Sequence, residues 1–242
     1  MKYMGGKAKI SGTIVPIIQK YIDETKPWGY IEPFCGGCNI IDKVKHEHRY
    51  ASDNQEYLIA FLQNLNRVTE LPENVSRELY ADVRTDWRKK TGKYEKWYIG
   101  AIGFLASYNG RFFDGGYGAM VKTKAGTFRN YYQEAIKNLQ EQIPRLNGVK
   151  FACSDYELLN TSNAVVYCDP PYPGTKGYTS SSGFDYERFW EWVRKLSVEN
   201  TVLISCKEAP SDMKCIWEKE VKRTMKSSGE TVGATEKLFI AR

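Results

Sequence analysis

The sequence predicts an α/β protein with an open central sheet, and three features predict it. Residues 164–168 form a short apolar run, rich in β-branched residues, that is typical of a buried strand. Residues 30–34 and 49–53 predict two further short strands, the second ending in an acidic residue. Apolar residues at helical spacing over residues 10–22 predict a helix ahead of these strands, although Pro16 interrupts it near its start.

Length and composition limit the class of protein. A chain of 242 residues is long enough for one large α/β domain with an insertion, or for two small domains. Hydrophobic residues at 42% and aromatic residues at 14% supply a core, so a disordered chain is disfavoured. No apolar run reaches membrane-spanning length, and the first residues lack the apolar core of a signal peptide. We therefore expect a cytoplasmic protein that does not bind membranes.

The strand at residues 164–168 runs directly into Asp-Pro-Pro-Tyr. Proline has no N–H and holds φ near about −65°, so the strand must end there. Asp169 and the Pro170 carbonyl thus lie at the carboxyl end of a buried strand, where open α/β sheets bind ligands. They offer two acceptors for one amino group, and Tyr172 offers an aromatic face for a base. The alternative is that these residues form only a rigid turn.

Two glycine turns accompany the predicted strands. Residues 35–38 (Cys-Gly-Gly-Cys) follow the first strand at an expected strand-to-helix turn, where glycine lets the backbone approach a ligand closely. Asp53 ends the second strand roughly 20 residues later, a spacing that suits a carboxylate bound to ribose hydroxyls. Near the N-terminus, a Gly-Gly pair lies between Tyr3 and Lys7.

The six cysteines predict no metal site. A zinc site would need a second cysteine pair or histidines at ligand spacing, and neither is present. The pair Cys35 and Cys38 is expected to open a helix after a strand, which keeps a thioredoxin-like redox role as an alternative. We favour small apolar side chains that fill the glycine turn.

The excess positive charge lies in the middle third of the chain. Residues 77–150 hold 14 basic and 7 acidic side chains, whereas residues 1–76 hold 9 of each and residues 151–242 hold 12 and 13. A solvated basic face is the ordinary explanation. Because Tyr, Phe, Gly and Asn accompany the basic residues, the segment also suits a polyanion with accessible bases.

The order of these motifs resembles the Dam-like (class α, D12-type) DNA adenine methyltransferases. The resemblance covers the N-terminal Tyr and Gly-Gly-Lys, residues 32–37 (Glu-Pro-Phe-Cys-Gly-Gly), residues 53–54 (Asp-Asn) and residues 169–172 (Asp-Pro-Pro-Tyr). It extends to Asp-Tyr at residues 155–156, to residues 202–205, and to a final hairpin that includes residues 225–228 and 236–238. Members of the family often have the sequence Phe-x-Gly-x-Gly at the glycine turn, and here Cys38 occupies the last position.

The resemblance implies a Rossmann-like methyltransferase fold with a mixed central sheet and a mostly helical target-recognition insertion. Residues 1–56 and 151–242 would form the catalytic domain, and residues 57–150 the insertion. The cofactor would be S-adenosylmethionine, released as S-adenosylhomocysteine. The implied cofactor-binding residues are Tyr3, Lys7, Phe34, Gly36, Asp53, Asp155, Tyr156 and Asp169. The implied catalytic residues are Asp169, Pro170, Pro171 and Tyr172.

Residues 108–110 (Tyr-Asn-Gly) match the family's DNA-recognition loop. The family then has a leucine and, two residues on, an arginine that reads guanine; here these positions hold Arg111 and Phe113. We hypothesise that Asn109 reads adenine and Arg111 guanine, with phosphate contact as the alternative for Arg111. The target sequence is therefore not assigned to GATC. The predicted DNA-binding residues are Tyr108, Asn109, Arg111, Lys122, Lys124 and Arg129.

The predicted reaction is methyl transfer to the N6 amino group of an adenine that has flipped out of duplex DNA. Acceptance of both amino hydrogens by Asp169 and Pro170 would direct the nitrogen lone pair at the methyl group. A cytosine-N4 enzyme is one alternative, although such enzymes more often carry serine in place of Asp169. A non-catalytic nucleic-acid-binding module is another. We expect a monomer, encoded by a bacterium or phage, with a cognate restriction endonuclease as a further partner.

Overall fold

The structure is a computed structural model that describes residues 1–123, 125–172, 183–224 and 231–241. The side chains of residues 221–224 and 231–234 lie outside this description. The helices within it are α1 (Ser11–Thr25), α2 (Glu56–Gln63), α3 (Arg77–Lys89), α4 (Lys96–Leu105), α5 (Tyr131–Gln142) and α6 (Tyr186–Ser197). The strands within it are β1 (Gly29–Glu32), β2 (Arg49–Asp53), β3 (Met120–Lys122), β4 (Phe128–Asn130), β5 (Val149–Cys153), β6 (Ala164–Cys168), β7 (Thr201–Cys206), β8 (Lys214–Thr224) and β9 (Thr231–Ile240).

Seven strands form one mixed sheet in the order β5-β2-β1-β6-β7-β9-β8. The pairs from β5 to β7 are parallel, whereas β9 is antiparallel to both β7 and β8. From β1 the chain adds β2 on one side and later places β6 on the other, so the strand order reverses between β1 and β6. Ligands of open α/β sheets bind at such a switch point, outside the carboxyl ends of the strands.

Both faces of the sheet are covered, as parallel strands require. Residues alternate between the faces: Tyr30 and Val165 belong to the core beneath α1, α2, α4 and α5. Ile31 and Val166 belong to the smaller core beneath α6. All five residues of β6 are buried, which explains its continuous apolar run. The fold therefore confirms the predicted α/β class with a mixed central sheet.

The predicted elements agree closely with those observed. The predicted strands at residues 164–168 and 49–53 match β6 and β2 residue for residue, and the predicted first helix corresponds to α1, with Pro16 inside it. Within the insertion that was predicted to be mostly helical, α5 ends at Gln142 and the chain continues as a 3₁₀ turn that contains Pro144. The sequence patterns did not predict α3, α6 or the β3–β4 hairpin. The predicted hairpin turn at residues 225–228 lies outside the described residues.

One local prediction was wrong. The Cys-Gly-Gly-Cys turn does not open a helix. Residues 39–43 form a series of turns instead, and the chain then continues to β2. Cys38 adopts φ of 56°, a left-handed conformation that favours glycine. Its amide donates to the Cys35 carbonyl at 2.8 Å, which closes the turn. Cysteine therefore takes up the glycine conformation that the family pattern requires at this position.

The helices between residues 57 and 150 share the core of the sheet. Leu58 and Phe61 of α2 and Ile102 of α4 belong to the same buried cluster as Tyr30 and Val165 of the sheet. In addition, α2 contacts β2 and β5, and β5 begins at Val149, inside the predicted insertion. The division of the chain at residues 57 and 150 stays a prediction, and residues from both sides of it share one buried cluster.

Gly100 allows α4 to cross α2 closely. A Cβ at Gly100 would overlap the backbone carbonyl oxygen of Tyr57 and lie 3.0 Å from the Phe61 Cβ. Because the obstacle is backbone, it cannot rotate away. We expect Gly100→Ala to destabilise the protein by about 2–3 kcal/mol, although alanine is the better helix former. Urea denaturation followed by circular dichroism measures the change.

Gly12 supplies the matched control, because a Cβ there meets no atom within 4 Å. It lies in the first turn of α1, so Gly12→Ala should stabilise the protein by up to about 1 kcal/mol. Equal stability of the two variants would contradict the close α2–α4 packing.

Candidate functional site

A cavity of about 520 Å³ opens at the carboxyl ends of β1, β2 and β6. The predicted residues Tyr3, Phe34 and Gly36 line it, together with the Asp-Pro-Pro-Tyr turn. Its acidic lining residues are Glu32, Asp53, Asp155, Glu157, Asp169 and Asp185. Its basic lining residues are Lys7 and Arg188. The cavity therefore favours a ligand that carries positive charge and aromatic rings.

Asp169 stands directly after β6, where the two prolines end the strand. Its Oδ1 accepts a hydrogen bond from Lys7 Nζ at 2.6 Å, and the two side chains are 19% and 7% exposed. Burial raises the pKa of Asp169, while the ammonium of Lys7 partly offsets that rise and the charge of Glu236 adds to it. Within the described residues, Oδ2 of Asp169 has no hydrogen-bond partner, so one carboxylate oxygen remains for a ligand.

Lys7 reaches Asp169 from the N-terminal segment. A short 3₁₀ turn, Lys7–Lys9, follows the Gly-Gly pair and places the lysine under the end of β6. Its Nζ also lies 4.5 Å from the centre of the Tyr172 ring, a cation–π distance. Lys7 therefore contacts two residues of the Asp-Pro-Pro-Tyr motif, a pairing that the sequence analysis did not predict.

The glycine turn after β1 supports the same N-terminal segment. A Cβ at Gly37 would lie 2.7 Å from the Tyr3 Cβ, and one at Gly36 would lie 2.9 Å from the Tyr3 ring. Gly36 also donates its N–H to Asp53 Oδ2 at 3.1 Å. The two glycines thus let Tyr3 cover the turn, and they bring Asp53 to the cavity.

Asp53 ends β2 as predicted. Besides the Gly36 bond, its Oδ1 accepts the Gln55 N–H at 3.1 Å. Burial raises the pKa of Asp53, and these backbone hydrogen bonds oppose the rise. The carboxylate is thus fixed in direction at the cavity wall.

Aromatic rings form the wall beyond Asp53. Phe34 and Tyr156 pack with their ring centres 5.1 Å apart, and Phe184 lies 5.7 Å from Tyr156. Asp155 caps the short 3₁₀ turn that holds Tyr156 by accepting the Glu157 N–H at 3.0 Å. The predicted pair Asp155 and Tyr156 therefore joins the predicted Phe34, and Phe184 was missed.

Glu32 is a cavity residue that the sequence analysis missed as a functional group. It ends β1, is 3% exposed, and accepts a hydrogen bond from the Tyr30 hydroxyl at 2.6 Å. Burial, with a smaller contribution from the charge of Asp169, raises the pKa of Glu32 to about 8, against the effect of the Tyr30 bond. Burial thus favours the neutral form of the Glu32 carboxyl. A carboxylate that ends a buried strand was the sequence signal for it.

The cysteine pair favours the packing interpretation. Cys35 and Cys38 are both free and buried. The neighbouring Cys38 thiol and burial raise the pKa of Cys35 well above its ordinary value, whereas redox-active thiols have lowered pKa values. Among the described residues, no group of three His, Cys, Asp or Glu side chains is placed to hold a metal ion.

The loop that begins at residue 107 lies directly beside the cavity wall. Gly110 adopts φ of 65°, and a Cβ there would overlap the Lys2 carbonyl and lie 3.2 Å from the Tyr3 Cα. The side chains of Tyr108 and Asn109 are exposed, and Arg111 is half-buried. These three predicted DNA-binding residues thus lie next to the segment that lines the cavity.

Phe113 cannot serve as a base reader. It is completely buried and stacks on Trp87 with ring centres 5.2 Å apart. Of the remaining predicted DNA-binding residues, Lys122 is exposed on β3, and Arg129 forms an ion pair with Glu134 at 2.6 Å. Lys124 lies outside the described residues.

Comparison with known proteins decides the family. The profile of the D12 class N6 adenine-specific DNA methyltransferases matches residues 3–198, most of the chain. The chain belongs to this family. It is an adenine-specific DNA methyltransferase, which confirms adenine N6 over the cytosine-N4 alternative.

Three relatives agree with this assignment. The Type II methyltransferase M.MjaIII of Methanocaldococcus jannaschii is 26% identical over 238 residues, 84% of this chain and 82% of its own. A DNA adenine methylase of Vibrio cholerae is 25% identical over 207 residues, 76% of this chain and 69% of its own. The Type II methyltransferase M.FokI of Planomicrobium okeanokoites is 27% identical over 197 residues, 73% of this chain but only 29% of its own.

The helices of this methyltransferase give no sign of a membrane span. In the described part of the chain, none is both long enough and apolar enough to cross a bilayer.

The Lys7–Asp169 pair predicts a pH effect on this methyltransferase. Lys7→Met removes the cation that favours the ionised form of Asp169, so the pKa of Asp169 should rise. If Asp169 acts as the ionised acceptor, the acid limb of the pH–rate profile moves to higher pH, and activity lost at pH 7 returns in part at higher pH. Methylation of duplex DNA, measured as kcat/KM against pH, checks the shift.

Lys9→Met is the control, because Lys9 lies in the same 3₁₀ turn and is exposed. Its profile should match that of the unaltered protein. An acid limb that stays in place in Lys7→Met would show that the ion pair does not govern the rate-limiting ionisation.

Proposed function

We propose that this enzyme transfers a methyl group from S-adenosylmethionine to the N6 atom of an adenine flipped out of duplex DNA, with Asp169 as the principal acceptor. One observation carries the proposal: a half-buried carboxylate at the switch point of the sheet accepts a hydrogen bond from Lys7 through Oδ1, and within the described residues its Oδ2 has no partner. Transfer of a methyl group to an amino nitrogen requires a hydrogen-bond acceptor for the amino group beside the methyl donor. The family description identifies the target atom as adenine N6.

The cavity fits S-adenosylmethionine by its chemistry. The cofactor carries sulfonium and ammonium charges, an adenine and a ribose, and the cavity offers acidic side chains and an aromatic wall. When bound, it supplies an electrophilic methyl group. Asp53 would hold the ribose hydroxyls, because its carboxylate is already directed by Gly36 and Gln55. Phe34 and Tyr156 would hold the adenine, with Tyr3 and Lys7 closing the cavity from the N-terminal side.

Asp169 and Pro170 would act on the target amino group. The lone pair of an adenine amino nitrogen is delocalised into the ring, so the nitrogen is a poor nucleophile. Oδ2 of Asp169 and the Pro170 carbonyl would accept the two amino hydrogens, which turns the lone pair out of the ring plane. As the bond from N6 to the methyl carbon formed, the bond from that carbon to the donor sulfur would break, and the proton lost from N6 would pass to the Asp169 carboxylate. Because Pro170 and Pro171 restrict the backbone, these acceptors are positioned before the base arrives.

The target adenine would enter beside Tyr172. In a duplex its amino group is paired and stacked, so an enzyme that acts on it must extrude the base into a pocket. Tyr172 lies at the cavity wall and offers the ring on which the base would stack. The loop at residues 108–111 would then meet the DNA next to the extruded base, with Asn109 and Arg111 as readers.

A group of arginines on α3 would bind the DNA backbone. Most arginines in the described residues are held by carboxylates or carbonyls: Arg49, Arg67, Arg129, Arg145, Arg188 and Arg194. In contrast, no described carboxylate lies within ion-pair distance of Arg77, Arg84, Arg88 or Arg111. Guanidinium groups without acidic partners are suited to phosphates.

These arginines share one side of the molecule with the recognition loop. Arg77, Arg84 and Arg88 are spaced by seven and four residues, which places them on one face of α3. The Nε atoms of Arg84 and Arg111 are buried and have no hydrogen-bond partner among the described residues, and Arg77 stacks at 4.6 Å over Tyr117 of the loop. The phosphate-binding face would therefore continue from α3 into the loop.

The remaining partners follow from the relatives. Two of them are named Type II methyltransferases, so we propose a cognate restriction endonuclease that acts on the same DNA site. We also propose a monomer that works in the cytoplasm of a bacterium or of a phage-infected cell. Lys122, Lys124 and Arg129 would add to the contact with DNA, Arg129 after exchange of its Glu134 partner.

Asp169→Asn tests the proposed reaction directly. The variant keeps the size of the side chain but loses the charge that accepts the amino hydrogens, so kcat should fall by about 10²–10³-fold. Single-turnover methylation of duplex DNA measures the rate, and calorimetry with S-adenosylmethionine should still detect binding. Asp212→Asn, at a surface carboxylate paired with Arg194, is the control and should leave kcat unchanged. Near-normal turnover by Asp169→Asn would refute the assigned role.

The arginine face predicts a uniform loss of affinity. Replacement of Arg84 and Arg88 by alanine should weaken binding to every sequence by a similar factor, and each lost phosphate contact should reduce the salt slope by about 0.9. Titrations against salt, on a panel of duplexes that differ at single base pairs, measure both effects. Arg194→Ala should change neither, because Asp212 already neutralises it.

The same panel separates the two roles of Arg111. As a base reader it should lose discrimination at one position of the site in Arg111→Ala, by about 1–3 kcal/mol. Uniform weakening would place Arg111 with the phosphate contacts instead. An unchanged salt slope in the Arg84 and Arg88 variant would remove α3 from the DNA interface.

A further inference from the structure

The Tyr172 side chain, which follows β6, is held by a residue of β9, two strands away in the sheet. Its hydroxyl donates a hydrogen bond of 2.7 Å to Oε2 of Glu236. Glu236 lies on β9, which stands between β7 and β8, and it is only 5% exposed. Carboxylates are rarely this buried unless a partner compensates them, and a charge-assisted hydrogen bond is among the stronger compensations.

The contact connects the Tyr172 side chain, which can rotate, to Glu236, which lies on a strand that is paired on both sides. Tyr172 follows two prolines that fix the backbone, yet its ring can still turn about its own two side-chain torsions. Glu236 is paired through β9 with Lys219 of β8 on one side, and β9 is paired with β7 on the other. A bond from the hydroxyl to such a strand, together with the Lys7 ammonium over the ring, restricts the ring plane.

We propose that Glu236 is a positioning residue for methyl transfer, which holds the Tyr172 ring in the plane against which the target adenine is stacked. The inference rests on the proposed function of Tyr172 as the stacking ring. Glu236 would not touch the base or the cofactor, because it acts through the tyrosine hydroxyl. Its effect should appear in the rate of the chemical step rather than in cofactor affinity.

A stacking ring that turns away costs rate because the amino nitrogen loses its alignment with the methyl donor. Displacements of about 1 Å at a reacting centre reduce rates by up to roughly 10²-fold. Tyr172→Phe removes the hydroxyl but keeps the stacking ring, whereas Glu236→Ala removes the acceptor. Both changes break the same bond from opposite ends. Glu236→Gln keeps an amide oxygen that can accept the bond.

The experiment is a double-mutant cycle on the full chain. Single-turnover methylation of duplex DNA is measured for Tyr172→Phe, Glu236→Ala, Glu236→Gln and the double variant Tyr172→Phe/Glu236→Ala. We expect each of the first two to lower the single-turnover rate about tenfold and the double variant to be no slower than either. Glu236→Gln should retain most of the rate, and calorimetry should give the same affinity for S-adenosylmethionine throughout. Multiplicative losses in the double variant would overturn the inference.

A second measurement distinguishes a change in the position of the Tyr172 ring from a loss of protein stability. Duplex DNA with 2-aminopurine at the target position reports stacking of the extruded base, and Glu236→Ala and Tyr172→Phe should alter its fluorescence alike. Thermal unfolding is measured for each variant. If Glu236→Ala does not fold, Tyr172→Phe still tests the same hydrogen bond. Glu218→Ala, at an exposed carboxylate on β8, is the control and should leave rate and fluorescence unchanged.

Tyr172→Ala distinguishes this inference from the proposed function. If Tyr172→Ala methylates at the normal rate, the stacking role of Tyr172 fails, and the role of Glu236 fails with it. If Tyr172→Ala is inactive while Tyr172→Phe and Glu236→Ala keep the full rate, the stacking role stands and only the inference about Glu236 is overturned.

Discussion

A partly buried ion pair between Lys7 and Asp169, residues that are 162 positions apart, holds the site together. Removal of either Lys7 or Asp169 would leave a buried charge without compensation, which is costly in a protein interior. The pair forms only if the N-terminal segment lies across the carboxyl ends of β1 and β6. That path in turn depends on the bare backbone at Gly36 and Gly37, since side chains there would collide with Tyr3. The Lys7–Asp169 ion pair therefore depends on the glycine turn, on the N-terminal turn and on the strand order.

The parts of the site that the sequence could predict are local. Asp169 and Asp53 each end a strand whose pattern is visible in a few residues, so their position at the sheet edge followed directly. The partners of these residues could not be predicted from spacing, because Lys7 meets Asp169 only through the tertiary fold. Glu236 was hidden for the same reason, since it reaches Tyr172 from a distant antiparallel strand.

The same holds for the fold: elements that depend on local sequence could be predicted, and elements that depend on distant contacts could not. Buried parallel strands such as β6 carry continuous apolar runs and are visible in the sequence. The turns after Cys38 are not visible, because a cysteine gives no local signal that it will adopt a left-handed conformation. Phe113 illustrates the point for function: family order places a base reader there, yet its packing against Trp87 makes it part of the core.

The common core of the helices α2 and α4 and the sheet limits how the segment between residues 57 and 150 can be exchanged. A module joined by a linker could be exchanged between relatives as a unit, but α2 and α4 bury Phe61 and Ile102 in the same cluster as the sheet residue Val165. A transplanted helical segment would bring side chains shaped for a different sheet. Under the role proposed for the loop, target preference is therefore best altered at the exposed Tyr108, whereas Asn109 has a left-handed φ of 57° at which most other residues are strained.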